Sequence, residues 1–273
     1  MPTTARSLGL VAGNGQLPLL IARAARSQGI AVHTVAHRGE AEESLGAESD
    51  SIHWVQFGQL GQMVRHFKKH QVEQVVLVGG ISRARLFTGF RPDLTFLKLL
   101  STVRSTRDDE ALRRVAAFFE QQGLPVGSAT ELVPEVMVQP GLLAGAPLTE
   151  QQRTDVAIGR EVAAAMGRVD VGQTVVVKRG SILAVEAIEG TDEAIRRAGR
   201  LGGAGAVVVK RSKPGQDTRF DLPAVGPMTL EVMREAGAAV LAIEAGRSVM
   251  LQSSVLIDWA PRLGISVLGY SAE

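Results

Sequence analysis

A chain of 273 residues, 45% hydrophobic and 21% charged, has the composition of a folded globular protein and the length of one large or two modest domains. A formal net charge of only +2 argues against a general polyanion binder, and 4% aromatic residues argues against a base-stacking surface for single-stranded nucleic acid, so no nucleic-acid partner is expected. With no cysteine there is neither a disulfide nor thiolate chemistry. No apolar run reaches the roughly 18 residues of a membrane span, and the N-terminus leads into a strand without a signal-peptide core. The expected location is cytoplasmic.

Residues 7–12 form an apolar run ending at Gly13-Asn14-Gly15, and helical spacing follows from Leu17 to Ala25, with Pro18 in the first turn where proline is tolerated. Strands are predicted over 30–35, 52–55 and 75–78, with a helix over 60–70. Strands alternating with helices predict a parallel sheet covered on both faces. A helix over 108–122 carries two acids in its first turn and closes at Gly123, and 132–138 reads as a return to the sheet.

Composition changes over 141–150, which reads as a linker or a crossover, with Thr149 capping a helix that runs to Met166. Strands are then expected over 174–178, 183–187, 205–209, 239–243, 248–251 and 265–268. Helices are expected over 191–201, 229–239 and 253–263. The reading is of two α/β domains, 1–147 and 148–273, without internal repeats.

The most polar stretch lies late, from Lys210 to Thr229. It follows an apolar strand, precedes a helix, and holds Lys210, Arg211, Lys213, Gln216, Asp217, Arg219 and Asp221 among glycines and prolines. Such a segment lies at the surface or lines a cleft. Its cations suit anionic oxygens, and a carboxylate among them can hold a metal or handle a proton, although a solvated loop with internal ion pairs explains the spacing equally well.

Two glycine turns, Gly13-Asn14-Gly15 and Gly79-Gly80-Ile81-Ser82-Arg83, follow strands. They suit phosphate approach at the carboxyl ends of a parallel sheet. A nicotinamide fingerprint is weak, because Pro18 stands where a small residue belongs and the second strand ends in His37-Arg38 rather than an acid.

From Arg83 to Arg107, basic residues interleave with Leu86, Phe87, Phe90, Leu94, Phe96, Leu97, Leu99 and Leu100. This suits an anionic lipid surface or an acylated phosphate, but a helix packed on its domain with charges outward is the simpler reading. Asp108 and Asp109 either bind a divalent cation or favour the helix dipole, the latter by default. Glu186, Glu189, Thr191 and Asp192 surround a strand-to-helix turn, as caps or as groups that orient water, metal or hydroxyls. His66 and His70 have zinc-pair spacing but no intervening glutamate, so a solvated face is expected.

In order and number these blocks resemble one family across nearly the whole chain: Leu8 to Pro18, Gly80-Ile-Ser-Arg83, Asp108-Asp109, Asp170-Val-Gly-Gln173, Val185 to Asp192, and Lys210 to Thr229. The set looks like LpxI, the UDP-2,3-diacylglucosamine pyrophosphatase family of lipid A biosynthesis in Gram-negative bacteria. The resemblance implies an α/β fold with an N-terminal Rossmann-like parallel-sheet domain, a smaller C-terminal α/β domain and the ligand in the interdomain cleft. It implies hydrolysis of UDP-2,3-diacylglucosamine to UMP and 2,3-diacylglucosamine 1-phosphate, with Mg²⁺ as cofactor.

The family's essential aspartate falls in Arg219-Phe220-Asp221-Leu222-Pro223, which makes Asp221 the catalytic and metal-binding candidate. Candidates for holding substrate are Gly13, Asn14, Gly80, Ser82, Arg83, Asp108, Gln173, Glu189, Thr191, Lys210, Lys213, Gln216 and Arg219. Asn14 departs from the small residue expected of relatives. Peripheral contact with the inner membrane is a further expectation, and a homodimer stays open. The competing reading is a nucleotide-sugar or dinucleotide binding protein without hydrolytic activity.

Overall fold

The computed structural model describes residues 5–81, 90–101, 108–220 and 222–271. Ser82, Arg83 and Asp221 fall outside them, as do the side chains of Asp108 and Asp109. Two compact units emerge: Met1–Pro134 together with Asp217–Asp221, and Glu135–Gln216 together with Leu222–Glu273.

In the first unit, β1 (Ser7–Ala12), β2 (Ala31–His37), β3 (Ser51–Val55) and β4 (Gln74–Val78) form a parallel sheet in the order β3-β2-β1-β4. Apolar runs without alternation, as in β1 and β4, are what a strand covered on both faces requires. Helix α1 (Leu17–Ser27) turns Ile21, Ala22 and Ala25 inward, and α2 (Leu60–Lys69) does the same with Met63, Val64 and Phe67. Two further helices follow, α3 (Leu94–Leu100) and α4 (Asp108–Gln121). Phe67 and Phe119 are fully buried with Val11, Val35 and Val75, and Phe220, from far along the chain, packs on that core.

The second unit holds a six-stranded mixed sheet, β5-β12-β10-β8-β6-β7. Its strands are β5 (Gly141–Ala144), β6 (Thr174–Lys178), β7 (Ser181–Val185), β8 (Val207–Lys210), β10 (Val240–Glu244) and β12 (Ser266–Tyr270). The centre, β8, β10 and β12, is parallel; β5, β6 and β7 run antiparallel to their neighbours. A separate parallel ladder joins β9 (Ala224–Val225) to β11 (Val249–Met250).

Successive strand residues point to opposite faces, so Val176 and Val208 meet one core while Val175, Val177, Val207 and Val209 meet the other. Helix α5 (Glu150–Arg168) covers the second of these. Helices α6 (Thr191–Gly202), α7 (Pro227–Ala236) and α8 (Ser253–Arg262) cover the first, through Ile195, Leu230, Met233 and Leu256. Thr149 caps α5 as expected, in a reciprocal box with Gln152.

Three expectations need correction. The strand read over 132–138 is replaced by 3₁₀ turns at Ala129–Glu131 and Pro134–Val136, since a proline has no N–H for a ladder. The linker read over 141–150 contains β5, paired antiparallel with β12. His66 and His70 do not lie on a solvated face: both are half-buried, their rings tilted against each other with centroids 4.8 Å apart, and His33 stacks on His70 at 4.4 Å.

Candidate functional site

The order β3-β2-β1-β4 places the reversal of strand order between β1 and β4, where an open parallel sheet leaves its ligand crevice. The two glycine turns meet at that point. Gly13 N–H donates to the Val78 carbonyl and Asn14 N–H to the Gly80 carbonyl, both at 2.8 Å. Gly80 N–H in turn donates to Asn14 Oδ1 at 3.1 Å. A Cβ on Gly13 would lie 2.2 Å from the Gly80 carbonyl oxygen, so this approach of two backbones excludes any side chain there.

Asn14 Nδ2 donates to Glu40 Oε2 at 2.9 Å. The acid missing from the end of β2 is thus supplied three residues later, and it faces Asn14. That pairing also gives the Asn14 departure a local partner.

In the second unit, the start of β6 and the ends of β7, β8, β10 and β12 lie along one edge of the sheet. Gln173, Thr191 and Lys210 come together there around Glu186. Thr191 Oγ1 donates to Glu186 Oε1 at 3.0 Å and accepts from Lys210 Nζ at 3.2 Å; Gln173 N–H points at Glu186 Oε2, 3.4 Å away. Lys210 also donates to the Ala224 carbonyl at 2.9 Å. Burial pushes the Lys210 ammonium down from its ordinary pKa, against the carboxylates of Glu186 and Asp192, which raise it. The Gln173 Oε1 atom is buried with no partner among the described residues.

The other candidates from this unit are engaged around that edge. Lys213 pairs with Asp170 at 2.7 Å, and Gln216 Oε1 accepts from Ser212 Oγ and Lys213 N–H. Glu189 stands apart, exposed in part and paired with Arg197. Glu186 is therefore the acid that joins the cluster, and strand parity could have found it: Ala184 and Glu186 point the same way and both are buried. Glu244 was missed. It closes the apolar run of β10, is buried, and accepts from Ser212 N–H at 2.8 Å.

Arg219 belongs to the first unit. Its guanidinium forks onto both oxygens of Asp217 and reaches Glu120 Oε1 at 2.8 Å, while its carbonyl accepts from Ala129 N–H. The Arg219 hydrogen bond holds Asp217 below the usual carboxylate range, and Asp217 raises Arg219 in return. This clamp fixes the residues immediately before Asp221.

Among the described residues no three His, Asp or Glu side chains gather as a metal site. Mg²⁺ needs only one or two carboxylates when substrate phosphates complete its oxygen shell, and Asp221 is of the type required.

The chain matches the LpxI N-terminal domain over residues 7–136 and the LpxI C-terminal domain over residues 139–268. A curated relative, the UDP-2,3-diacylglucosamine pyrophosphatase LpxI of Caulobacter vibrioides, is 35% identical over 98% of this chain and 99% of its own. The chain belongs to the LpxI family.

Among solved structures, a biotin carboxylase from Campylobacter jejuni aligns with 72% of this LpxI chain and 42% of its own, at 11% identity and a TM-score of 0.30. The biotin carboxylase domain of a thermophilic 2-oxoglutarate carboxylase aligns with 73% and 33%, at 13% identity and a TM-score of 0.29. This LpxI chain thus spans about a third of the latter protein.

Proposed function

We propose that this protein is a hydrolase that cleaves the pyrophosphate bond of UDP-2,3-diacylglucosamine, giving UMP and 2,3-diacylglucosamine 1-phosphate in lipid A biosynthesis. The observation that carries the reading is 35% identity, over nearly the full length of both chains, to a relative named for that activity. The polar edge of the second sheet and the paired glycine turns of the first support it.

A pyrophosphate diester resists water because its negative oxygens repel the nucleophile and its leaving group is charged. Water bonds to one phosphorus, the bridging P–O bond breaks, and the bridging oxygen departs on the other phosphate. Asp221 orients the water or ligates the cation. Lys213 and Arg219, each now paired with a carboxylate, exchange part of that pairing for diphosphate oxygens. Gly13, Asn14 and Gly80 receive the nucleotide at the switch point, and Gln173 and Thr191 take substrate hydroxyls or phosphate oxygens. When bound, Mg²⁺ would neutralise the diphosphate charge and lower the pKa of attacking water.

Among the described residues no helix is long and apolar enough to cross a membrane. The proposed location is cytoplasmic, with peripheral contact at the inner membrane through α3. That helix buries none of its residues. Leu94, Leu97 and Leu100 are 77%, 45% and 49% exposed, beside exposed Arg91 and Lys98. Asp93, the acid next to them, is turned inward to cap α3 and to accept from Gly61 N–H at 2.7 Å.

Incubation with UDP-2,3-diacylglucosamine and Mg²⁺ should release UMP, and a chelator should stop it. Asp221→Asn, folded as judged by circular dichroism, should lose about 10²-fold or more of turnover. Binding of the nucleotide sugar without UMP release would leave the non-hydrolytic reading in its place.

A further inference from the structure

Arg247 is a cation that the second unit leaves without a counter-charge. It follows β10 in a segment whose backbone is held on both sides. Gly246 N–H donates to the Val138 carbonyl at 2.9 Å, and Val138 N–H to the Ser248 carbonyl at 3.0 Å. Val249 N–H then donates to the Pro223 carbonyl at 2.8 Å. Arg247 is half-buried, and its Nε–H is fully buried without an acceptor. Among the described residues, every other lysine or arginine that is buried or half-buried has a hydrogen bond or an ion pair. Arg247 has neither.

The acid nearest to it in the chain is already committed. Glu244 accepts from Ser212 N–H at 2.8 Å and lies 3.7 Å from Arg211 Nε. A guanidinium is always charged, so taking part of it out of water with no acceptor costs free energy. A buried polar group left unmatched in this way marks a place where a bound molecule supplies the partner.

Its surroundings carry the same mark. In the second unit, the buried side-chain polar atoms without a partner among the described residues are Gln173 Oε1, Arg247 Nε and Ser248 Oγ. All three belong to one edge of the six-stranded sheet. The Gln173 carbonyl accepts from Arg211 N–H at 2.9 Å, Arg211 reaches Glu244, and Glu244 ends the strand that leads to Arg247. On the far side of Arg247, Val249 pairs with Ala224, whose carbonyl accepts from Lys210 Nζ. Arg247 is thus built into the edge that gathers Gln173, Thr191 and Lys210, where the parallel strands present their carboxyl ends.

We propose that Arg247 is a substrate-binding residue of this edge, its guanidinium taking a phosphoryl oxygen of the nucleotide sugar. This rests on the hydrolase reading given above, which makes the diphosphate the anion to be held. A planar fork of N–H donors suits phosphoryl oxygens, and here it has no carboxylate to give up first.

The test uses the full chain as wild type, Arg247→Met and Arg247→Lys. Methionine keeps the apolar stem and removes the charge, whereas lysine keeps the charge and loses the fork. The readouts are the thermal midpoint with and without inorganic pyrophosphate, and steady-state UMP release from UDP-2,3-diacylglucosamine. Arg247→Met should leave the unliganded midpoint equal or higher, because the charge it removes has no partner, and should lose the rise that pyrophosphate gives the wild type. Its KM should increase about 10- to 10²-fold, the cost of losing a charge-assisted hydrogen bond, with Arg247→Lys in between.

A lowered unliganded midpoint, or a variant that fails to fold, would show that the guanidinium serves the fold and would overturn the proposal. So would a KM within about threefold of the wild type, or a midpoint that pyrophosphate raises equally in Arg247→Met and wild type, or in neither. Absence of UMP release from the wild type would instead remove the hydrolase reading, and the pyrophosphate measurement would still decide whether Arg247 holds a phosphoryl group.

Discussion

His37 shows how a single side chain ties this fold to pH. It ends β2, is buried, and its Nδ1 has no hydrogen-bond partner among the described residues. Burial lowers its pKa to about 4, with Glu40 opposing. His66 is lowered to about 4 as well, by burial first and then by His70, His53, His33 and Lys69. Unfolded histidine titrates near 6.5, so between about 6.5 and 4 the unfolded chain binds more protons than the folded one. Stability from these groups is complete above about pH 6.5 and is lost as the pH falls towards 4. For buried His37 the slope approaches about 1.4 kcal/mol per pH unit. Urea midpoints measured from pH 7 to pH 5 should fall steadily, and His37→Gln should flatten the fall. An equal slope in that variant would remove His37 from the explanation.

Among the elements, α5 shows a conflict that magnitudes decide. Gly159 sits in its middle, where glycine costs about 1 kcal/mol relative to alanine. Yet a Cβ there would lie 2.4 Å from Val209 Cγ2 and 2.9 Å from Val209 Cβ, atoms of a β-branched side chain on a buried strand. Overpacking of this kind costs about 1–3 kcal/mol. Gly159→Ala should therefore lower the thermal midpoint despite its better helix propensity, and a raised midpoint would show that α5 can slide outward.

Elements with strong local signatures were legible in the chain. β1, β4 and α5 announce themselves by apolar runs, by the glycines that follow, and by the Thr149–Gln152 cap. β5 was not, because Gly141-Leu-Leu-Ala144 has a strand's identity only through its partner β12, which lies more than a hundred residues away. The candidate site divided similarly. The family resemblance named Gln173, Thr191 and Lys210, but choosing Glu186 over Glu189 needed the direction of each side chain.

At the scale of the whole molecule, α3 meets the simplest reading of its sequence only in part. Phe96 and Leu99 pack on the core of the first unit, while three leucines and two cations face outward. Leucines presented beside cations suit an anionic bilayer, where apolar burial and charge attraction act together. Pairing Leu94→Ser with Leu97→Ser should abolish co-sedimentation with phosphatidylglycerol vesicles, while turnover on detergent-dispersed substrate persists. Undiminished co-sedimentation would place any lipid contact elsewhere.

The excursion of Asp217–Asp221 into the first unit also bears on how the molecule is made. Phe220 fills part of a core otherwise built before residue 127, and Arg219 supplies the partner of Glu120. A ribosome therefore releases the N-terminal half unfinished. Its last apolar plug and its counter-charge arrive some ninety residues later, after much of the second sheet has been synthesised, so the first unit is completed only when most of the second already exists.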